Sequence, residues 1–232
     1  MTVLFSNLYC KSKTAYLRHN TGGRLFIYSN ILIKVYGDNM NNIIEKIYEI
    51  DHNILLYIQE HMRTGYLTPL MKTSSLFVNI GIVWILLSVV LICIKRTRII
   101  GIMTLTSLTF CICVNNIFVK HLIARARPFD TYSDLIPLIK KPTDYSFASG
   151  HTTASFAAAG ILARFLQRPL AVLIVFFSVL VAFSRLYLGV HYPTDVLCGM
   201  IIGILGSTFV YMMFKKKYNL DEIRLSKRKE IN

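Results

Sequence analysis

Long apolar runs separated by short polar segments dominate the chain between residues 74 and 214. A helix needs about 20 consecutive apolar residues to cross a bilayer. Five segments fit or approach that length and are predicted as transmembrane helices: Ser74–Ile94, Ile99–Val119, His151–Leu166, Pro169–Val190 and Val196–Phe214. The predicted fold is therefore all-α, a polytopic membrane bundle of about five helices.

A more polar segment precedes these runs. Apolar residues recur every three or four positions from Ile43 to Met62, with acidic residues between them. That spacing predicts an amphipathic helix, which is too polar to span the bilayer and is suited to its interface. Residues 1–39 lack sustained periodicity and are expected to be a poorly organised extension. Because organised pattern begins only after Met40, we hypothesise that natural translation starts there.

Composition and charge agree with a membrane protein. The 232 residues are 54% hydrophobic, with a mean hydropathy of +0.50, which is too apolar for an ordinary soluble domain. The formal net charge of +14 would also suit a nucleic-acid binder, but the basic residues fall between apolar runs and at the C terminus. We therefore predict one membrane domain over 40–214, a basic tail over 215–232 and no nucleic-acid partner. The five cysteines show neither metal-ligand spacing nor a disulfide framework.

The basic residues also predict the orientation in the cell membrane, since cytoplasmic loops carry the excess of Lys and Arg. The larger set is expected to be cytoplasmic, together with the C terminus: Lys95, Arg96, Arg98, Arg164, Arg168, Lys215, Lys216, Lys217, Arg224, Lys227, Arg228 and Lys229. The 120–150 loop and the 184–195 turn then share the extracytoplasmic side.

Two polar segments on that side carry candidate chemistry. Lys120 and Arg127 are seven residues apart, two helical turns, so both project from one face of a helix end. Ser149, Gly150 and His151 stand at a predicted helix N-terminus, where free backbone N–H groups and the helix dipole favour an anion. Taken alone, the cations would be interfacial snorkelling residues and the serine a plain cap.

A third segment, Ser184–Asp195, contains Arg185, His191 and Asp195. A carboxylate near an imidazole can set its tautomer and raise its basicity, and a guanidinium matches the geometry of a phosphate. A lone His–Asp pair would be a structural hydrogen bond. All three segments together predict a phosphate site in which one histidine attacks and the other protonates the departing oxygen.

The same segments resemble a known family signature. Residues 120–128 match K-x6-R-P, residues 149–151 match S-G-H, and residues 184–195 match S-R-x5-H-x3-D. In this order they resemble the type 2 phosphatidic acid phosphatase and haloperoxidase superfamily, over roughly residues 43–214. Its integral-membrane branch includes undecaprenyl-diphosphate and phosphatidylglycerolphosphate phosphatases. The family usually has proline before Ser-Gly-His where this chain has Ala148, a change that removes no functional group.

The resemblance implies that His191 is a nucleophile forming a phosphohistidine, that Asp195 orients it and that His151 is the general acid. It implies phosphate-binding roles, without a metal or a cofactor, for Lys120, Arg127, Ser149, Gly150 and Arg185. Three acidic residues of the outer loop are expected to be solvated charges: Asp130, Asp134 and Asp144. Three residues beside the motifs are expected at the surface, in preference to contacting a second phosphate or head group: His121, Arg125 and Tyr145.

We therefore expect a metal-independent integral-membrane phosphatase whose partners are a lipid substrate and the bilayer. By analogy alone, the favoured substrate is undecaprenyl diphosphate, cleaved at the outer membrane face. Phosphatidylglycerolphosphate, phosphatidate and lipid A phosphates stay open as substrates, as does phosphoryl transfer from His191 to a second lipid. A non-catalytic lipid-phosphate binder is a weaker alternative, because it would need the cations without both histidines. A haloperoxidase is disfavoured because those relatives are soluble.

Overall fold

The computed structural model describes residues 42–77, 81–218 and 220. These residues form helices joined by turns and loops, with no strand among them, which confirms the all-α prediction. The extension expected at 1–39 and residues 221–232 of the expected tail lie outside the described residues.

The chain divides into two compact units, residues 1–53 and 54–232. In the first unit, residues 42–53 are helical, as their periodicity predicts. In the second unit, residues 54–57 are helical and are followed by a π-helical turn, Ile58–Met62.

Seven further helices of the second unit are labelled here in chain order. They are α1 (Leu67–Phe77), α2 (Ile82–Cys93), α3 (Arg98–Cys113), α4 (Pro128–Thr131), α5 (Gly150–Leu162), α6 (Arg168–Tyr187) and α7 (Pro193–Tyr218). A π-helical segment, Val114–Val119, and a last turn, Lys120–Ile123, continue α3. Four of the predicted spans correspond to helical stretches, but Ser74–Ile94 is not a single helix. Its first residues belong to α1 and its later ones to α2, and Gly81 before α2 has a left-handed φ of +72°.

Within the described residues, three helical stretches are long and apolar enough to cross a membrane: Arg98–Thr131, Arg168–Tyr187 and Pro193–Tyr218. Helix α2 is apolar but shorter. Helix α5 is also shorter than a span, with 13 residues, and most of its side chains are buried by other helices. It is therefore an inner helix of the bundle, and its small alanine side chains allow close packing by its neighbours.

Small residues let α7 approach α5 closely. A Cβ atom on Gly203 would lie 2.7 Å from Phe156 Cβ and 2.8 Å from the Thr153 carbonyl oxygen. A Cβ atom on Gly199 would lie 2.7 Å from the Ser149 carbonyl oxygen. Gly199 and Gly203 thus lie on the face of α7 that packs on α5, and this close packing places the start of α7 beside the start of α5.

Hydrogen bonds within the second unit hold the long loop between α4 and α5. Arg63 donates to the carbonyl oxygens of Ile136 at 2.8 Å and Tyr187 at 3.2 Å. The Leu138 N–H donates to the Leu188 carbonyl oxygen at 3.0 Å. The loop is therefore tied to the turn that follows α6.

Candidate active site

A cavity of about 690 Å³ lies at one end of the helices of the second unit. Six of the eight predicted site residues line it: Lys120, Arg127, Gly150, His151, Arg185 and His191. The other two, Ser149 and Asp195, are fully buried and hydrogen-bonded to each other through their backbones, with Ser149 N donating to Asp195 O at 3.0 Å. The fold thus brings segments that are far apart in sequence to the same cavity.

Helix ends position these side chains. Lys120 lies in the last turn of the α3 continuation, and Arg127 precedes Pro128, which begins α4. The prediction that both project from one helix face is therefore wrong, because the helix ends at Ile123 and Ala124 adopts a left-handed φ of +46°. Arg185 is in the last turn of α6, and His191 lies in the connection to α7. That connection reverses direction at Gly189, whose φ of +71° is a left-handed conformation that favours glycine.

The two ring nitrogens of His191 have different surroundings. Nδ1 lies 3.6 Å from Asp195 Oδ2, beyond hydrogen-bond distance. The hydroxyl of Ser146 donates to that same carboxylate oxygen, and its Oγ lies 3.5 Å from Nδ1. Nε2 lies 3.4 Å from Arg127 Nη1. One nitrogen therefore faces Asp195 and Ser146, and the other faces a cation of the cavity.

Burial keeps the His191 imidazole neutral. It lowers the pKa of His191 from its ordinary value of 6.5 to about 4. The positive charges of Arg127 and Arg185 act in the same direction, and the carboxylate of Asp195 opposes them. A neutral imidazole retains the lone pair that a nucleophile needs.

Arg125 holds the Asp195 carboxylate from the opposite side to His191. Its Nη1 donates to Asp195 Oδ1 at 2.9 Å and to Thr194 Oγ1 at 2.7 Å. Its guanidinium lies 3.7 Å from the centroid of the Tyr192 ring. The surface role expected for Arg125 is therefore wrong, since the residue is buried against the site. The sequence signal for a role in the site was the position of Arg125, two residues before Arg127.

Asp144 bridges the two predicted phosphate-binding cations of the first motif. Its carboxylate accepts from Lys120 Nζ and, at 2.7 Å, from Arg127 Nη2. The expectation of a merely solvated charge is wrong for this residue, although its side chain is 54% exposed. Burial by itself raises the pKa of Asp144, but the two cations outweigh it and lower that pKa to about 2. The carboxylate is therefore ionised and occupies donors that suit a phosphate.

The loop that precedes α5 is fixed from two helices. Asn115 Nδ2, in the π-helical part of the α3 continuation, donates to the Ala148 carbonyl oxygen at 3.1 Å. Ser149 is tied to α7 through Asp195, and its Oγ accepts from Thr152 Oγ1 at 3.0 Å. Gly150 and His151 follow on the cavity wall. The free N–H groups of the first turn of α5 thus begin beside the cavity.

Arg185 presents unused hydrogen-bonding capacity to the cavity. It is 3% exposed, and its Nη1 donates to Ser75 Oγ on α1. Within the described residues its Nε has no hydrogen-bond partner. A buried guanidinium N–H without an acceptor is costly, and an anion in the cavity would supply one.

The arrangement is suited to a phosphoryl group. The three predicted phosphate-binding cations, a helix N-terminus and two histidines surround one cavity. In the part of the chain that the structure describes, no group of three or more His, Cys, Asp or Glu side chains could hold a metal ion.

Comparison with known proteins agrees with this class of site. The family model described as the PAP2 superfamily matches residues 100–219. An undecaprenyl-diphosphatase from Sulfolobus acidocaldarius is 34% identical over 77% of this chain and 82% of its own length. A lipid A 4'-phosphatase from Porphyromonas gingivalis is 28% identical over 73% of this chain and 75% of its own length. The crystal structure of a transmembrane PAP2 type phosphatidylglycerolphosphate phosphatase from Bacillus subtilis superposes with a TM-score of 0.63, at 25% identity, covering 83% of this chain and 95% of that one.

The fold and the site define a polytopic membrane enzyme of the lipid phosphatase class. The chain belongs to the PAP2 superfamily.

Proposed function

We propose that this chain hydrolyses a lipid diphosphate, such as undecaprenyl diphosphate, through a phosphohistidine intermediate. The observation that carries the proposal is that His191 lines the cavity with its Nε2 atom 3.4 Å from Nη1 of Arg127, which lines the same cavity. The similarity to the Sulfolobus acidocaldarius undecaprenyl-diphosphatase supports this substrate.

In the first half of the reaction, His191 Nε2 attacks the terminal phosphorus, and the bond between that phosphorus and the bridging oxygen breaks. His151, which becomes protonated when the negatively charged substrate binds, donates that proton to the bridging oxygen, which leaves with the lipid monophosphate. In the second half, His151 accepts a proton from water, and the water oxygen attacks the phosphohistidine. Inorganic phosphate leaves, and both imidazoles return to their starting states. Asp195 orients His191 throughout.

Five groups hold the oxygens of the reacting phosphoryl group in this proposal: Lys120, Arg127, Arg185, the backbone N–H of Gly150 and the hydroxyl of Ser149. Positive charge aimed at the equatorial oxygens stabilises the transition state, in which the negative charge is spread over them. The Ser149 hydroxyl accepts from Thr152 and so keeps its own proton for donation. No resident metal takes part in these steps.

The apolar part of the cavity suits the lipid. Gly81, Ile112 and Ala154 line it beside the polar groups, so a hydrocarbon chain can extend from the phosphate towards the bilayer. This combination of an apolar wall and a cationic end matches an amphiphilic phosphate.

We place the cavity on the extracytoplasmic side and the C terminus in the cytoplasm. Helix α7 begins beside the cavity and ends at three lysines, Lys215 to Lys217, after 26 residues, or about 39 Å of helix. The positive-inside rule assigns the lysine-rich end to the cytoplasm. A tag after Asn232 should then resist a protease added outside intact cells, and ready cleavage there would contradict this orientation.

The activity is tested by phosphate release from purified protein in detergent, with a chelator present. The substrates are undecaprenyl diphosphate, phosphatidylglycerolphosphate and phosphatidate, and the variants are His191→Ala and His121→Ala. The expected result is release that survives chelation, is lost in His191→Ala by at least roughly 1,000-fold and is retained in His121→Ala. A His191→Ala variant with the parent rate would refute the nucleophile. Labelled phosphate appearing on an added acceptor lipid would identify a phosphotransferase.

A further inference from the structure

The cavity contains more positive charge than one phosphoryl group requires. Three cations of its lining have a role in the proposed reaction, namely Lys120, Arg127 and Arg185. Three more lysines line the same cavity and have none: Lys72, Lys140 and Lys141. The acidic residue of the lining is Asp144, which is already shared by Lys120 and Arg127.

The three lysines stand on ordered backbone; Lys72 is partly buried, and Lys140 and Lys141 are exposed. Lys72 is on helix α1. Lys140 and Lys141 follow the loop segment that is hydrogen-bonded through Ile136 and Leu138. Lys141 Nζ lies 5.2 Å from the centroid of the Phe129 ring. None of the three forms an ion pair within residues 42–77, 81–218 and 220, so their charges remain available to a ligand.

Charge matching indicates what that ligand is. A phosphomonoester carries about two negative charges. Lys120, Arg127 and Arg185 together with Asp144 already supply a net charge of that size and opposite sign. A lipid diphosphate brings at least one further negative charge and a second set of acceptor oxygens on the lipid side of the reacting phosphorus. Unpaired lysines beside the reacting centre suit that second phosphate.

We propose that Lys72, Lys140 and Lys141 form a subsite for the second phosphate of a lipid diphosphate and make the enzyme selective for diphosphates over phosphomonoesters. This inference rests on the proposed function. The phosphate held there is the one that leaves with the lipid. Negative charge develops on its bridging oxygen until the proton from His151 has been transferred, so the lysines stabilise the transition state as well as the bound substrate.

The test compares two substrates in one triple variant, Lys72→Gln, Lys140→Gln and Lys141→Gln. We expect kcat/KM for undecaprenyl diphosphate to fall at least about tenfold more than kcat/KM for phosphatidate. The matched control replaces Lys95, Lys216 and Lys217 with Gln. It removes the same charge from the exposed ends of α2 and α7, far from the cavity. The ratio of kcat/KM for undecaprenyl diphosphate to kcat/KM for phosphatidate should then stay at the parent value.

The outcomes separate the subsite from the activity itself. Equal losses on both substrates would mean that the lysines attract any anionic lipid, which overturns the subsite but leaves the phosphatase. If the ratio of kcat/KM for undecaprenyl diphosphate to kcat/KM for phosphatidate fell equally in the control variant, the subsite would also be overturned, since net charge would then set the selectivity. A parent without phosphate release from any lipid would overturn the proposed function and this inference together.

A second measurement does not depend on turnover of a lipid. Methylenediphosphonate resists hydrolysis and carries two phosphoryl groups, whereas inorganic phosphate carries one. The parent is expected to be inhibited more strongly by the diphosphonate than by inorganic phosphate. In the triple variant the ratio of the two inhibition constants should change at least about tenfold in favour of phosphate. Equal inhibition of the parent by both anions would overturn the subsite. The unchanged elution of the variant on size exclusion checks that it is folded.

Discussion

Arg125 Nη1 lies 2.9 Å from Asp195 Oδ1, so the carboxylate that faces His191 is itself held by a buried cation. The side chains of Arg125 and Asp195 are 8% and 0% exposed. Ser146 and the backbone N–H of Tyr192 bind the other carboxylate oxygen. The position of the imidazole thus depends on a layer of residues that do not line the cavity.

Replacing Arg125 with Met should reduce kcat by about 10- to 100-fold while KM changes by less than about threefold. The substitution leaves Asp195 buried without its cation, so the carboxylate no longer holds a defined position behind His191. Arg125→Lys should recover part of kcat because it restores the charge. Steady-state kinetics on a lipid substrate measures both constants.

Arg127→Met is the comparison for this variant. Arg127 contacts the cavity directly, so its loss should raise KM as well as lower kcat. If Arg125→Met altered only the yield or the Tm and left kcat per folded enzyme at the parent value, Arg125 would be a structural residue and not a positioning one.

The sequence predicts the helices and the meeting of the site segments for a clear physical reason. Apolar length and the positive-inside rule constrain the spans, and the motif residues fall at span ends, where Lys120 and His191 must share one membrane side. Pairings between side chains are a different matter. The bond of Arg125 to Asp195 depends on how the turn before α4 folds, and that of Asp144 to Lys120 on how the loop over residues 132–149 folds back, which periodicity does not encode.

Replacing Asp144 with Asn should strengthen inhibition by inorganic phosphate about 3- to 10-fold. The ionised carboxylate occupies donors of Lys120 and Arg127 that a phosphate would use, and the neutral amide competes less for them. The pKa of Asp144 is lowered to about 2, so the carboxylate competes at every pH used for assay. Inhibition constants at several phosphate concentrations measure the effect.

Asp130→Asn provides the control, because Asp130 is an exposed residue of α4 outside the cavity lining. It removes one negative charge from the same loop region and should leave the inhibition constant near that of the parent. Weaker inhibition in Asp144→Asn would show that the carboxylate is needed to organise the two cations.

The acid limb of the kcat/KM profile should lie near pH 4 and not near pH 6.5. Only the neutral imidazole of His191 can attack, and the pKa of His191 is lowered to about 4 by burial, with Arg127 and Arg185 acting in the same direction. The neutral fraction therefore stays high as the pH falls from 7 to 5 and is lost only through the lowered pKa. Profiles are measured with two lipids whose phosphates have different pKa values. A limb that shifts between the lipids reports the substrate, and a limb common to both reports the enzyme. A limb near pH 6.5 shared by both lipids would contradict the buried, neutral imidazole.

Gly203→Ala should destabilise the protein by about 1–3 kcal/mol and also lower its activity. The added Cβ would lie 2.7 Å from Phe156 Cβ and 2.8 Å from the Thr153 carbonyl oxygen, so α5 and α7 must separate. Because Ser149 on the α5 side binds the Asp195 backbone on α7, that separation disturbs the site as well as the packing. Gly65→Ala is the control, since a Cβ there meets nothing within 4 Å. Thermal melts in detergent and phosphate release measure the two effects, and a Gly203→Ala protein as stable and active as Gly65→Ala would show that the helices do not need this close approach.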